Sequence, residues 1–409
     1  MADNSLLKDV MTLVDEVVEE TNIAAGFSKM LPTFGMGDTD GQRLDDVEYL
    51  PEDFRFESND GFVSLADNSD AQALTDRLIP IRRNKSLYIK SKISTKELRD
   101  PRLRKMAVQG FSREMRNAVD IYCYNKAITR ANMTVTSADA IKQADTSAAE
   151  VLMLDAGLGG YASNLHLSIP HYKDLSDQLA LNQYHGGLPQ TAYERSIIPN
   201  QIGGFDQASR ADYRLALTAQ AASGVTVNGA QKHTVTTKDA NDVPVDNREM
   251  SLVISATAGL KAGDKFTIAN VDRLNPEVRE TTSELMTFTI NSITNGTTAV
   301  ISPAIIVDGP YRNCSAQAAD SAAISFLNIA NNSPSVFWAD DSIKLVPGNL
   351  PVEGGGVDKV DATTEQGLPM RFTYWYDPDN EVMLLKAVIF FDCEVWLPSQ
   401  VGVILDSQA

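Results

Sequence analysis

The residue types that carry out chemistry are scattered along this sequence and do not fall into the spacing of a common catalytic site. The sequence contains no nucleophile elbow, P-loop, H-E-x-x-H zinc motif or dinucleotide-binding glycine fingerprint. Its three cysteines, Cys123, Cys314 and Cys393, are far apart and lack the C-x-x-C spacing of a redox or metal site. The thiols are therefore predicted to be buried and reduced, and no cofactor is expected.

Metal binding is not favoured by the remaining candidate ligands. His166, His171 and His185 lie near one another in the sequence, but none has a Cys, His or Glu at ligand spacing on the same element. The acidic run from Asp38 has its glycine at the fourth position rather than the sixth, which argues against a calcium loop. Because catalytic triads are assembled in space and not in sequence, an α/β enzyme with a β-sheet binding module remains an alternative.

Charge is unevenly distributed along the chain, which has a net charge of −18. A protein with this charge is not expected to bind nucleic acid over most of its surface, because neutralising the phosphates requires clustered Lys and Arg. Residues 1–60 contain 15 acidic and 4 basic residues, whereas residues 82–116 contain 12 basic and 3 acidic residues. Copies of the chain could pair these segments with each other; the alternative is that both are solvated surface.

The basic segment is predicted to contact neighbouring subunits rather than to read DNA. Its charges occur both on an extended stretch that includes Lys85 to Lys96 and on the helix that follows, so they cannot all face one groove of DNA. The candidate inter-subunit residues on the helix are Arg102, Arg104, Arg113 and Arg116.

One long helix is the element that must position these charges. Pro101 favours a helix start, because proline fixes φ and lacks the N–H that the first turn leaves unpaired, and the helical pattern ends before Asn132. Roughly 30 residues give a rod of about 45 Å. This length indicates the spine of an elongated subunit or, alternatively, a core helix of a large α/β enzyme. The predicted apolar stripe contains Met106, Phe111, Met115, Val119, Tyr122 and Cys123, with Arg113, Arg116, Asn117, Asp120 and Lys126 off it.

Other segments have weaker hydrophobic patterns that still predict secondary structure. The sequence predicts a short amphipathic helix at 9–21, a strand at 86–93 and a helix at 137–153. The later apolar runs predict strands at 372–376, 382–391 and 395–404. No run approaches the roughly 18 apolar residues that would span a bilayer, so a protein without membrane contact, made in the cytoplasm, is expected.

The pattern changes at about residue 222, where short strands and frequent turns replace helical periodicity. Asn228-Gly and Asn295-Gly are typical hairpin turns that favour left-handed backbone conformations. An independent antiparallel β domain of roughly a hundred residues is therefore predicted. Because an α/β pattern returns after about residue 332, this domain is predicted to be inserted into another one.

Several segments resemble the coat protein of Salmonella-type short-tailed phages, in the same order along the chain. They are Thr12-Leu-Val-Asp-Glu-Val-Val, Thr136-Ser-Ala-Asp-Ala-Ile, Gly224-Val-Thr-Val-Asn-Gly-Ala-Gln, Val245-Asp-Asn-Arg, Ser255-Ala-Thr-Ala-Gly-Leu-Lys-Ala-Gly-Asp-Lys-Phe and Val336-Phe-Trp-Ala-Asp-Asp-Ser-Ile. The resemblance implies an α+β fold, the Hong Kong 97-type capsid fold with an inserted all-β, immunoglobulin-like domain.

The resemblance also implies a division of the chain. The expected parts are an N-terminal arm at 1–40, an extended loop at 41–80, a peripheral domain with the spine helix at 81–135, a discontinuous axial domain at 136–222 and 333–409, and the inserted β domain at 223–332. In the family a loop of the inserted domain reaches a neighbouring capsomer. The matching segment, Thr237 to Asp246, is shorter here, and its candidate inter-subunit residues are Asp239, Asp242 and Asp246.

The function implied by the resemblance is that of a major capsid protein. Such a subunit assembles with itself as pentamers and hexamers in the host cytoplasm, together with a scaffolding protein and a portal protein. The shell becomes the virion capsid and encloses double-stranded DNA by non-specific contact. The family's arm meets the scaffolding protein, which here implies Asp15, Glu16 and Glu19 as scaffold-binding residues. A non-viral, encapsulin-like shell protein is the alternative, although the inserted domain argues against it.

Overall fold

The computed structural model describes most of the chain. The described residues are 11–19, 26–34, 47–52, 55–56, 77–94, 100–181, 198, 201–348, 358–364, 367–377 and 382–408. The elements in chain order are α1 (a helix that includes 11–19), η1 (Phe27–Met30), β1 (Val47–Pro51), β2 (Leu78–Arg82), β3 (Lys85–Ser94), α2 (Pro101–Arg130), β4 (Met133–Thr136), α3 (Gln143–Asp155), β5 (Ser163–Leu167), α4 (Ile169–Leu181), β6 (Gln207–Arg210), β7 (Met250–Val253), β8 (Lys265–Leu274), β9 (Thr281–Asn295), β10 (Thr298–Ser302), β11 (Ile324–Phe326), β12 (Ser335–Ala339), β13 (Ile343–Pro347), β14 (Asp358–Thr363), β15 (Pro369–Asp377), β16 (Val382–Val395), η2 (Pro398–Gln400) and β17 (Val401–Leu405).

The chain forms two compact units. The first unit comprises Met1–Glu48, Ile81–Lys126 and Ile343–Glu394, and the second comprises Tyr49–Pro80, Ala127–Ser342 and Val395–Ala409. None of the described helices is both long and apolar enough to cross a membrane.

The long helix α2 confirms the predicted spine, since it begins at Pro101 and ends at Arg130. Phe111, Met115, Val119 and Cys123 of the predicted stripe are buried. Met106 is not, because burial along α2 begins only at Val108 and the preceding turns are largely exposed. Its side chain is 69% exposed, so its placement in the buried stripe was wrong.

The first unit is built on a sheet in which β13, β16, β15 and β14 are adjacent in that order, with β3 also paired to β16. The pairing of β3 with β16 is antiparallel and runs from Lys85 opposite Phe391 to Ser94 opposite Val382. Alternate residues of β16, including Met383, Leu385 and Ala387, are buried, as expected for a strand that covers a core with one face. The predicted strands at 86–93, 372–376 and 382–391 are confirmed.

The second unit contains a mixed sheet in the order β4, β17, β12, β5 and β6. The pairs of β17 with β4 and of β5 with β6 are parallel, whereas β12 is antiparallel to both of its neighbours. Leu165, Phe337 and Ile404 from these strands share a buried cluster with Leu152 of α3 and Leu175 of α4. The helices therefore pack on the sheet in the manner of an α+β protein.

A wholly antiparallel sheet follows in the same unit, in the order β11, β8, β9, β10 and β7. Gly229 has φ +77°, as the first predicted turn requires. The second left-handed turn was predicted wrongly, because Asn295 pairs with Thr298 and Gly296 keeps an ordinary φ. The side chain of Asn295 accepts the Thr297 N–H at 2.9 Å, so an Asx turn closes this hairpin.

We expect residues 223–332 to fold as an isolated fragment. The buried cluster of this β domain is formed by residues between Ala222 and Ala318, so a fragment retains nearly all of its core. The measurement is circular dichroism of the fragment during heating, and a single cooperative transition is expected. A spectrum typical of random coil would contradict the prediction.

Candidate assembly surfaces

Helix α1 packs within the first unit with one face and exposes the other. Leu13, Val14 and Val17 are fully buried, whereas Asp15 and Glu19 are exposed. The two carboxylates are four residues apart and so lie on one side of the helix. Within the described part of the chain neither carboxylate forms an ion pair.

Glu16 is engaged within the subunit. Its carboxylate accepts two hydrogen bonds from the Arg104 guanidinium of α2, from Nη2 at 2.9 Å and from Nε at 3.1 Å. This bidentate geometry is the stronger form of an arginine–carboxylate pair, although both side chains are partly exposed. Glu16 and Arg104 were predicted to face different partners. The structure brings them together across 88 residues of sequence.

The other predicted basic residues of α2 are not gathered into one site. Arg102 and Arg113 are exposed. Arg116 is half-buried and donates from Nη2 to Asn117 Oδ1 at 3.4 Å. Among the described residues Arg102 and Arg113 therefore have no ion-pair partner, whereas Arg104 is partly neutralised by Glu16.

Asp120 of α2 organises the segment that follows α1. Its two carboxylate oxygens accept the backbone N–H groups of Gly26 and Ser28, each at 3.0 Å. The side chain is only 2% exposed, and burial raises the pKa of Asp120 against the effect of these hydrogen bonds. The sequence interpretation placed Asp120 off the buried stripe, which was wrong. The available signal was its position between Val119 and Cys123, at the edge of that stripe.

A second buried polar cluster joins α2 to β16. Asp392 Oδ1 accepts hydrogen bonds from Lys126 Nζ at 2.8 Å and from the Tyr122 hydroxyl at 2.9 Å, and Asp392 Oδ2 accepts the Asn84 N–H at 3.2 Å. Glu394 Oε2 lies 3.3 Å from the same ammonium group. Burial lowers the pKa of Lys126, but the carboxylates of Glu394 and Asp392 outweigh it, so the net shift is upward. Sequence reasoning found Lys126 but none of its partners.

The predicted loop of the inserted domain uses its acidic residues in different ways. Asp239 Oδ1 accepts the N–H groups of Asn241 and Val243, and these bonds hold the pKa of Asp239 below its usual range. Asp242 is exposed and pairs with Lys238 at 2.8 Å. Asp246 instead pairs with Arg248 at 2.8 Å. Asp239 and Asp242 therefore shape the exposed tip, while Asp246 is committed within the subunit.

The structure also contains a Ser-His-Asp arrangement that the sequence did not reveal. His171 Nδ1 lies 2.7 Å from Ser335 Oγ, and His171 Nε2 lies 3.5 Å from Asp406. Ser335 and His171 are fully buried, so no substrate can reach the hydroxyl. The arrangement serves as a polar link between α4, β12 and the end of the chain. Cys123, Cys314 and Cys393 are free and buried, as predicted.

The chain is similar to a known protein family and to several solved structures. The sequence model of the family described as "P22 coat protein - gene protein 5" matches residues 1–406. The solved CUS-3 coat protein I-domain is 40% identical; the match covers 25% of this chain and 95% of that one, with a TM-score of 0.22. The capsid structure of cyanophage P-SCSP1u is 10% identical, with 94% and 89% of the two chains covered and a TM-score of 0.46. The mature capsid of bacteriophage PhiM1 is 9% identical, with 94% and 88% covered and a TM-score of 0.45.

The family match confirms the expected fold class, an α+β capsid fold of the Hong Kong 97 type with an inserted β domain. It favours neither the encapsulin-like alternative nor the enzyme alternative, and it indicates a structural rather than a catalytic role. Subunits of this kind associate with copies of themselves into shells. With the family model spanning residues 1–406, the chain belongs to the P22 coat protein family and is a major capsid protein of the virion.

Proposed function

We propose that this capsid protein assembles as pentamers and hexamers around a scaffolding protein in the host cytoplasm, and that the exposed carboxylates of α1 bind the scaffolding protein. A portal protein joins the shell, and double-stranded DNA then fills it by non-specific contact. The observation that carries the proposal is the division of α1 into a fully buried apolar face and a face that exposes Asp15 and Glu19. A helix fixed to the subunit in this way presents its charges at the same position in every copy of the shell.

Repetition is what makes such a contact effective. An exposed ion pair contributes about 0–1 kcal/mol, too little to hold two proteins together. Many subunits contacting linked scaffolding molecules gain avidity from the raised effective concentration. Salt screens exposed charges over a Debye length of about 8–10 Å, so scaffold-assisted assembly is expected to weaken as the salt concentration rises.

Replacing Asp15 and Glu19 together with alanine is expected to lower the yield of shells at low salt by at least about threefold, because each subunit loses both available charges. The yield is measured by sedimentation and electron microscopy after mixing subunit and scaffolding protein. The matched control is Asp212→Ala with Asp340→Ala, which removes two exposed carboxylates elsewhere. Glu16→Ala tests the Arg104 pair separately. A normal yield of shells from the Asp15→Ala, Glu19→Ala double variant would contradict the proposal that these carboxylates bind the scaffolding protein.

We propose that the exposed arginines of α2 contact neighbouring subunits. Arg102 and Arg113 keep their charge available, whereas Glu16 already holds Arg104. The exposed Asp239 and Asp242 of the inserted domain are the corresponding acidic candidates for contacts between capsomers. The net charge of −18 repels DNA phosphate, which supports weak and non-specific contact with the packaged DNA.

Charge reversal at Arg102 and Arg104 together is expected to block or misdirect assembly and to leave the subunit folded. Arg104→Glu also places two carboxylates together at Glu16, so Arg102→Glu with Arg113→Glu is the cleaner variant, because it leaves that pair intact. Folding is checked by circular dichroism and assembly by electron microscopy. Ordinary shells from Arg102→Glu with Arg113→Glu would count against an inter-subunit role for these residues.

A further inference from the structure

The second unit contains a cavity of about 110 Å³ whose lining is rich in arginine. One water molecule requires about 10–15 Å³, so the cavity has room for a polyatomic ion. Among the described residues its charged lining consists of Arg55, Arg77, Arg248 and Arg273 against the single carboxylate of Glu52.

Arg248 is fully engaged within the protein. It donates to the Asp246 carboxylate from Nη2 at 2.8 Å and from Nε at 3.0 Å. Its Nη1 donates to the carbonyl oxygens of Val395 and Trp396, each at 3.1 Å. This guanidinium therefore contributes to the wall of the cavity and has little capacity left for a ligand.

Arg77 has its own counter-charge as well. Its Nε lies 3.0 Å from Glu52 Oε2, and its Nη2 donates to the Asn247 carbonyl at 3.4 Å. The guanidinium also stacks on the Tyr311 ring, 4.6 Å from the centroid. Arg77 and Glu52 thus neutralise each other, so Glu52 presents little repulsion to an anion beside them.

Arg273 differs from both. Its side chain is 4% exposed, and its Nη2 donates to the neutral hydroxyl of Thr287 at 3.1 Å. In the part of the chain that the structure describes, its Nε has no hydrogen-bond acceptor and no carboxylate forms an ion pair with it. Burial lowers the pKa of Arg273, with a smaller opposing effect from Glu284 and Asp155. A buried guanidinium of this kind is costly unless an anion reaches it.

Arg55 adds a second positive charge at the same cavity. Its side chain is exposed, and it has no ion-pair partner among the described residues. Its backbone N–H donates to the Tyr311 hydroxyl at 3.4 Å, which fixes the position of this residue beside the cavity. Arg55 and Arg273 therefore supply two positive charges to one small volume.

We propose that this cavity binds one small oxyanion of the phosphate class, held by Arg273 and Arg55 beside the Arg77–Glu52 pair. The planar guanidinium fork matches an oxyanion with two parallel hydrogen bonds, which satisfies the free Nε of Arg273. Glu52 and Arg55 precede residues 57–76 and Arg77 follows them, whereas Arg273 belongs to β8. The anion joins these separate segments, so its binding stabilises the folded subunit.

The test is a calorimetric titration of the unassembled full-length subunit with inorganic phosphate, at an ionic strength held constant with sodium chloride. One saturable site per subunit is expected, and the melting temperature should rise with phosphate but not with added chloride. Arg273→Met should weaken binding by at least about tenfold and abolish the phosphate-dependent rise. In phosphate-free buffer the same variant should melt no lower than the wild type, because it removes a buried guanidinium that has no ion pair among the described residues.

Arg55→Gln is the second variant, because its exposed side chain can be changed without disturbing a buried core, and it should also weaken binding. Arg214→Gln removes an exposed arginine outside the cavity and should leave phosphate binding unchanged. A short DNA duplex, added at the same concentration of phosphate groups, identifies the source of the ligand. Displacement of inorganic phosphate assigns the site to a phosphodiester, and no displacement assigns it to the free ion. Absence of saturable binding, or equal binding by the wild type and both cavity variants, would overturn the proposal.

Discussion

Asp392→Ala is expected to lower the free energy of unfolding of the isolated subunit by about 3 kcal/mol. Asp392 is 3% exposed and accepts hydrogen bonds from Lys126, Tyr122 and the N–H of Asn84. Loss of one partner of a buried ion pair typically costs about 3–5 kcal/mol. The lower end of this range is expected for Asp392→Ala, because Glu394 remains 3.3 Å from the ammonium group of Lys126.

The measurement is urea-induced unfolding of the unassembled subunit, read from the shift in midpoint at constant slope. Glu394→Ala is the matched control, because it removes the longer contact to Lys126 and leaves Asp392 in place. Its expected cost is about 1 kcal/mol, the contribution of a typical single hydrogen bond, because the contact is long and the side chain is partly exposed. Equal effects from Asp392→Ala and Glu394→Ala would show that Asp392 is not the centre of this cluster.

Asp120→Ala is expected to destabilise the subunit by about 2 kcal/mol, because the N–H groups of Gly26 and Ser28 lose their acceptors. Asp120→Asn should cost less than about 1 kcal/mol, since the amide oxygen still accepts a hydrogen bond and no charge is buried. Gly26→Ala is an independent probe, because an added Cβ would lie 2.7 Å from Asp120 Oδ2. Urea unfolding of the three variants measures each effect.

The same residue gives a pH dependence with a defined sign. Burial raises the pKa of Asp120 above its value in the unfolded chain, so the folded subunit takes up this proton at a higher pH. Stability associated with such a carboxyl is lost as the pH rises through the folded-state pKa and regained as the pH falls. The wild type should therefore gain stability relative to Asp120→Asn between pH 7 and about pH 4. A stability difference that is constant over this range would contradict the assignment.

Local periodicity and turn chemistry were sufficient for much of the fold. Pro101 and the apolar spacing after Val108 define α2, because both act within a few residues of the chain. The apolar run at 382–391 predicted β16 for the same reason. The prediction failed at Met106 and at the turn after Asn295. The spacing of apolar residues does not show which turns of a helix are covered by other parts of the subunit, so the exposure of Met106 was missed. At the second site, Asn295 forms an Asx turn instead of adopting a left-handed conformation.

The polar contacts that hold the subunit together were decided by the tertiary structure. Glu16 meets Arg104 across 88 residues, Asp120 meets Ser28 across 92 and Asp392 meets Lys126 across 266. No local pattern encodes such pairs, because the charges of both partners look like ordinary surface residues until packing brings them together. Packing brings Glu16 to Arg104, whereas Asp15 and Glu19 form no ion pair among the described residues. Local sequence patterns and the resemblance predicted the capsid family and its main elements, whereas the pairing of the charged residues depends on packing between segments that are far apart in the chain.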